Sequence, residues 1–138
     1  MTTEDFRTLS NMIAAHAAER PDAAALVQDE RRVSYRELDA LMDRIAAALQ
    51  RDGLTPGESI AICAMTSIEY AALFVGALRA SAAVAPIAPS STPESIAGMV
   101  ADSGARFFFL DAEVADALAG VKHQIKAEWI ALDGGAQG

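Results

Sequence analysis

The side chains that could do chemistry in this chain are few, and they are dispersed along it. There is one cysteine, Cys63, and there are two histidines, His16 and His123. A nucleophilic site needs a thiol or hydroxyl beside a base, and a zinc site needs several clustered ligands. Neither histidine has such a neighbour in the sequence, and the G-x-S-x-G elbow is absent. The residues by themselves therefore predict no catalytic residue and no metal ligand.

Phosphate sites are the next candidates, because backbone N–H groups at helix N-termini bind anions. Helix starts are predicted at Thr66 and Thr92. Neither G-x-G-x-x-G nor G-x-x-x-x-G-K-[ST] occurs, and residues 65–67 contain no glycine that would let a phosphate approach the backbone. Helix capping is the favoured interpretation of both threonines. The acidic residues at 29–30 and 111–113 fall in a turn and a helix start, where they interact with solvent or with the helix dipole.

Helix-start signals indicate the elements that must position these residues. Ser34 and Glu37 form the pattern of a capping box, and Val33 and Leu38 occupy the hydrophobic-staple positions around it. The following helix places its apolar residues on one face and ends near Asp52. That face is made of Leu38, Leu41, Met42, Ile45, Ala46 and Leu49. This segment is the strongest helix prediction in the chain.

Two further helices are predicted downstream. A second capping box is expected from Thr66 and Glu69, and Thr92 caps a third helix with Pro93 at its first position. Upstream, Leu9, Met12, Ile13 and Ala17 recur at helical spacing, and a small hairpin is expected over residues 24–33. A short helix is expected over residues 112–118.

Short apolar runs between these helices predict buried strands. They cover residues 59–64, 83–87, 106–110 and 129–132. Cys63 stands in the first of these runs, which favours a small buried hydrophobic side chain over a nucleophile. Strands alternating with amphipathic helices predict an α/β fold: a mostly parallel, doubly wound sheet with helices on both faces.

Composition excludes several partners. The net charge of −8 argues against a nucleic-acid backbone, which requires a basic stripe. The acidic start of the chain is unlike a signal peptide, and no uninterrupted apolar stretch approaches the ~18 residues that span a bilayer. We therefore expect a cytoplasmic chain without a membrane span.

Several segments resemble the N-terminal portion of the adenylate-forming (AMP-binding) superfamily. Residues 33–38, V-S-Y-R-E-L, are similar to its (L/V)-(S/T)-Y-x-E-L segment. Residues 78–89 are similar to L-(R/K)-A-G-A-x-x-x-P-(L/I)-(N/D)-P without a gap. The R-P-D at 20–22, the turn at 55–58 and the D-S-G-A-R at 102–106 follow the family pattern in the same order. The resemblance thus runs from about Leu9 to Leu110.

The sequence departs from that pattern at three positions. Ser81 replaces the usual Gly, and Ala88 replaces the usual Asn or Asp. Some CoA ligases of the family carry a basic residue just after the second Pro, facing the CoA entrance. Ser90 stands there in this chain and is a candidate for a place near the CoA or acyl channel. No other cofactor-binding residue is expected.

The resemblance implies an acyl- or aryl-CoA ligase, which converts a carboxylate and ATP to acyl-AMP and then to a thioester with CoA. The implied cofactors of such a parent enzyme are ATP, Mg²⁺ and CoA. Its glycine-rich ATP loop with a lysine, T-S-G-T-T-G-x-P-K-G, does not occur here. We therefore expect residues 1–138 to form a single partial domain, inactive alone, with residues 1–8 and 133–138 flexible.

Two alternatives remain open at this point. The parent could be a peptide-synthetase adenylation domain, with a carrier-protein thiol as acceptor. The chain could instead be a stand-alone noncatalytic binding or interaction module. The expected partners are the remainder of its own polypeptide and, through the parent, a small carboxylate and CoA. A homodimer is a possible assembly, and no nucleic acid is expected.

Overall fold

The computed structural model describes the backbone of residues 3–132 and the side chains from Leu9 onward. Its helices are α1 (Thr3–Glu19), α2 (Tyr35–Arg51), α3 (Ile68–Arg79), α4 (Pro93–Ser103) and α5 (Ala112–Ala117), with a 3₁₀ helix over Ala119–Gln124. Its strands are β1 (Ala24–Gln28), β2 (Arg31–Ser34), β3 (Ser59–Cys63), β4 (Ala83–Pro86), β5 (Phe107–Leu110) and β6 (Glu128–Ala131).

Four strands form one parallel sheet in the order β4-β3-β5-β6. In register, Ile60 of β3 pairs with Val84 of β4 on one side and with Phe107 of β5 on the other. Phe108 of β5 pairs with Trp129 of β6. Strand order therefore reverses at β3, as in a doubly wound sheet. The predicted fold class is confirmed.

Two hydrophobic clusters cover the two faces of this sheet. Side chains of α1, α2 and α3 pack on one face around Ile60, Ile62 and Phe109. Side chains of α4, α5 and the 3₁₀ helix pack on the other face around Cys63 and Phe108. Alternate residues of β3 and β5 enter opposite clusters, because successive side chains of a strand point to opposite faces. Both faces are thus buried, which explains the continuous apolar runs in the sequence.

The hairpin β1–β2 is a separate antiparallel pair beside the main sheet. The turn between its strands contains Asp29, whose φ of 54° is left-handed. Gln28 attaches the hairpin to α3, since its Oε1 accepts from the N–H of Ile68 at 3.0 Å. The predicted hairpin is confirmed.

The helix caps follow the sequence at α2 and α4. Glu37 N–H donates to Ser34 Oγ at 3.2 Å, and Ser34 N–H donates to Glu37 Oε1 at 2.9 Å, so the first capping box is confirmed. Thr92 Oγ1 accepts from Ser95 N–H at 3.2 Å, with Pro at the first position of α4. These contacts satisfy backbone donors that a helix start leaves unpaired.

The predicted start of α3 is wrong by one residue. Ser67, and not Thr66, is the N-cap, because its Oγ accepts from Tyr70 N–H at 3.1 Å. Glu69 therefore stands at the second helical position, from which it does not complete a capping box. Its carboxylate pairs with Arg31 of β2 instead. The long-range ion pair with Arg31 thus takes the place of the local hydrogen bond expected at residue 66.

The other differences are small. Of the four apolar residues predicted to mark α1, Ile13 is buried and Ala17 half-buried, whereas Leu9 and Met12 are exposed. Residues 133–138 and the first two residues, expected to be flexible, lie outside the described residues, and α1 begins at Thr3. Within the described part of the chain, no helix is long and apolar enough to cross a membrane.

Candidate functional site

The carboxyl edge of the sheet is where a doubly wound fold offers a ligand site, next to the strand at which the order reverses. Here that point lies between β3 and β5. Residues 64–67 follow β3, and Asp111 follows β5. Ser90 lies at the same edge, in the exposed turn after β4 that Ser91 N–H closes by donating to Ala88 O at 3.1 Å.

Asp111 spans the gap between the two central loops. Its Oδ2 accepts from the N–H of Met65 at 3.0 Å, and its Oδ1 accepts from the N–H of Val114 at 3.0 Å. One carboxylate thus caps α5 and ties the β5 loop to the β3 loop. The Asp111 carboxylate therefore occupies the position from which a phosphate could accept hydrogen bonds from these two N–H groups. The interpretation of this acidic residue as a helix-start residue is confirmed.

The thiol of Cys63 lies beneath this edge and is fully buried. Burial raises its pKa from an ordinary value of 9.0 to about 11, and the negative charge of Asp111 adds to that rise. The thiol therefore stays protonated at neutral pH, whereas a nucleophilic cysteine needs the thiolate. The structure supports the interpretation of this residue as a packed hydrophobic side chain.

The two histidines lie on different elements. His16 of α1 is half-buried, with its ring centroid 5.0 Å from that of Tyr35 and its Nδ1 2.9 Å from Nη2 of Arg20. His123 is exposed on the 3₁₀ helix. Among the described residues no group of three or more His, Cys, Asp or Glu side chains could hold a metal ion. Mg²⁺ is usually held by one or two carboxylates together with substrate phosphates, so the described residues show no ready-made protein cage for it.

A cleft between α2, α3 and β6 opens beside the hairpin at the same edge. It encloses about 240 Å³ and has an apolar wall that includes Leu41, Leu73 and Phe109. Arg31, Arg44 and Glu69 also line it and supply its charges. We call this feature the α2–β6 cleft. The sequence did not indicate it, because its lining residues come from five separate elements.

The paired charges in this cleft have a clear electrostatic consequence. Arg31 Nη1 donates to Glu69 Oε1 at 3.1 Å, and Arg31 Nη2 donates to Glu69 Oε2. Hydrogen bonding by the guanidinium lowers the pKa of the Glu69 carboxyl and raises that of Arg31. The pair is therefore ionised throughout the neutral range, and it fastens the hairpin to the first turn of α3.

Comparison with known proteins places the chain in a family. The model of the AMP-binding enzyme family matches residues 13–136. One component of the linear gramicidin synthase of Brevibacillus parabrevis is 34% identical over 105 residues, which are 76% of this chain and 1% of that protein.

Solved structures agree in fold. A protein described as a long-chain-fatty-acid CoA ligase from Rhodopseudomonas palustris superposes with a TM-score of 0.85 at 25% identity, over 93% of this chain and 33% of that one. A nonribosomal peptide synthetase superposes with a TM-score of 0.78 at 26% identity, over 91% of this chain and 13% of that one. The chain thus spans a third or less of these relatives. It belongs to the AMP-binding enzyme family, whose N-terminal subdomain it matches in fold.

Proposed function

We propose that this chain is the N-terminal part of an ATP-dependent carboxylate–CoA ligase. The observation that carries the proposal is the superposition of 93% of the chain on a third of a protein described as a CoA ligase, with a TM-score of 0.85. Residues 76–80, G-A-L-R-A, resemble the spelling found in stand-alone ligases and support this choice, whereas residues 33–38 and 78–89 support the family as a whole. In this proposal the chain supplies scaffold and one wall of the acyl or CoA channel.

The proposed parent reaction has two steps. A carboxylate oxygen attacks the α-phosphorus of ATP, forming acyl-AMP as pyrophosphate leaves. The sulfur of CoA then attacks the acyl carbonyl, its proton passes to a base, and AMP leaves as the thioester forms. The first step brings two anions together, so it requires positive charge and N–H donors held in position. The glycine-rich ATP loop of the family does not occur in residues 1–138, and we assign the ATP and Mg²⁺ sites to the remainder of the parent.

Ser90 is the residue of this chain that we propose to lie near the CoA or acyl channel. Its support is its position, exposed and at the carboxyl end of β4. A serine can donate one hydrogen bond there but cannot provide the charge of a basic residue. We propose that the parent works in the cytoplasm, where ATP and CoA are available to it.

An adenylation domain of a peptide synthetase is the second candidate. It is favoured by the 34% identity to the linear gramicidin synthase component and by the superposition on a solved nonribosomal peptide synthetase. In that case the carboxylate is an amino acid, and the acceptor is a thiol on a carrier protein. The first chemical step is the same, so the two candidates differ in substrate and acceptor.

Pyrophosphate exchange on the full-length product tests the proposal across a panel of fatty, aromatic and amino acids. Exchange with a fatty or aromatic acid, followed by CoA-dependent thioester formation, is the expected result. Exchange with amino acids alone and no CoA thioester favours the peptide synthetase. The chain of residues 1–138 is the matched control and should be inactive. Exchange by that control would contradict the assignment of the chemistry to later segments.

A further inference from the structure

The α2–β6 cleft has the lining of a small-ligand site, at a volume slightly below the roughly 300–1,000 Å³ that is usual for drug-sized ligands. Its volume of about 240 Å³ corresponds to about eight water molecules at ~30 Å³ each. Ile45, Leu73 and Phe109 are buried at its base, and Leu41 is half-buried. Ligand sites are typically apolar cavities with a few convergent polar groups. The cleft therefore fits an apolar group of about eight non-hydrogen atoms.

The charged side chains of the cleft determine which polar head group a bound apolar ligand can carry. Arg31 and Glu69 neutralise each other through their bidentate pair. Arg44 is exposed and forms no ion pair with any residue in the described part of the chain. The three side chains therefore leave one positive charge on the cleft, in a chain whose net charge is −8.

We propose that the α2–β6 cleft binds a small apolar monoanion, with the tail against Leu73 and Phe109 and the anionic head on Arg44. A carboxylate suits this guanidinium because its two oxygens match the planar fork of N–H donors. A cation would be repelled by Arg44, and a dianion would retain one uncompensated charge. This inference goes beyond the proposed function, which assigns no ligand to the α2–β6 cleft.

Titration of the 138-residue chain with octanoate, followed by the NMR shifts of backbone amides, tests the proposal. Its apolar tail of seven carbons fits the cleft while the carboxylate stays beside Arg44. The shifts should concentrate on α2, α3 and β6. Octanol should bind about tenfold more weakly, since it lacks the charge-assisted hydrogen bonds, and octyltrimethylammonium should bind more weakly still.

Two variants and one control sharpen the test. Arg44→Gln should weaken octanoate binding about tenfold and leave octanol binding unchanged. Glu69→Gln should strengthen octanoate binding, because it leaves the charge of Arg31 uncompensated. Arg36→Gln is the matched control on the same helix, outside the cleft, and should change nothing.

Three results would overturn the proposal. They are equal binding of the three probes, octanoate binding that Arg44→Gln leaves unchanged, and no shifts at millimolar octanoate. Because the titration uses neither ATP nor CoA, its failure would leave the pyrophosphate-exchange result for the parent unaffected. Loss of exchange in the parent would equally leave the cleft intact.

Discussion

The backbone N–H of Gly57 donates to the carbonyl of Ser81 at 2.9 Å, which joins the turn before β3 to the turn before β4. Both residues are left-handed, with φ of 89° and 65°. Two residues further along each turn, Ser59 and Ala83 begin the paired register of the two strands. The left-handed conformation at Ser81 thus sets where β4 begins. This conformation costs an L-residue conformational free energy.

Replacing Ser81 with glycine should raise stability by about 0.5–1 kcal/mol. A left-handed conformation costs an L-residue about 1–2 kcal/mol, and the greater freedom of glycine in the unfolded chain offsets part of the gain. Urea unfolding should show a higher midpoint with an unchanged slope. Ser81→Ala keeps the Cβ and should show no such gain. A neutral or destabilising Ser81→Gly would mean that the serine side chain compensates for the strain.

Gly76 is required by the close approach of α3 to α2. A Cβ built at Gly76 would lie 2.7 Å from Cγ2 and 2.8 Å from Cβ of Ile45, both in the buried core. Overpacking of this kind costs about 1–3 kcal/mol, which exceeds the gain of about 1 kcal/mol in helix propensity. Gly76→Ala should therefore destabilise, by up to about 2 kcal/mol, in chemical denaturation.

Gly98 provides the matched control for that substitution. It is exposed in α4, and a Cβ there would meet nothing within 4 Å. Gly98→Ala should stabilise by about 0.5–1 kcal/mol through helix propensity alone. Opposite signs for the two substitutions would confirm the helix contact, whereas two stabilising substitutions would show that α2 and α3 can separate without loss.

Arg79 joins the first three helices. Its Nε donates to Ser10 Oγ at 3.0 Å, its Nη2 lies 2.8 Å from Asp39 Oδ1, and its Nη1 lies 3.0 Å from Asp43 Oδ1. Arg79→Met keeps much of the apolar stem but leaves those acceptors without their donor. We expect a loss of about 2–3 kcal/mol, measured by thermal and urea unfolding.

The ion pair of Arg36 with Asp22 is the exposed counterpart of this cluster. Its side chains are 65% and 85% exposed, whereas that of Arg79 is 16% exposed. Surface pairs contribute little because water screens them, so Arg36→Met should change stability by no more than about 0.5 kcal/mol. Equal effects of the two substitutions would contradict the structural role assigned to Arg79.

Cys63 should make the fold sensitive to alkaline pH. Its pKa is raised from 9.0 to about 11 in the folded chain, so folding keeps a proton that the unfolded chain releases. Stability should therefore decline as the pH rises from about 9 towards 11, and this contribution should be absent below pH 9. Unfolding of the wild type and Cys63→Ala from pH 7 to 11 measures the difference. Parallel pH profiles would contradict the prediction.

Local patterns determined where most elements begin and end. Ser34 and Glu37 are three residues apart, and a capping box needs no partner from elsewhere in the chain. Pro93 and Gly104 likewise mark the two ends of α4 through their own backbone preferences. The apolar runs of β3 and β5 indicated strands buried on both faces, since such strands lack alternation. These features are carried by neighbouring residues, so the sequence alone predicts them.

Long-range contacts decided what the local pattern could not. Glu69 had the spacing of a capping residue for Thr66, but Arg31, thirty-eight positions away, holds its carboxylate. Met12 had the spacing of a core residue, yet it is exposed, because the partners of α1 cover only part of its circumference. Hydrophobic periodicity predicts which face of a helix is buried. The width of that buried face depends on the elements that pack against the helix in the folded chain.

The sequence by itself determined an α/β chain with the segments of the AMP-binding family and no evident catalytic set. Only the tertiary structure showed that Asp111 joins the β5 loop to Met65 and that Gly76 leaves space for the side chain of Ile45. It also placed the charged Arg44 side chain beside an apolar cleft. The physical reason is the same in each case. Capping and periodicity act over a few residues, whereas a cleft or a charge balance exists only once distant segments are packed together.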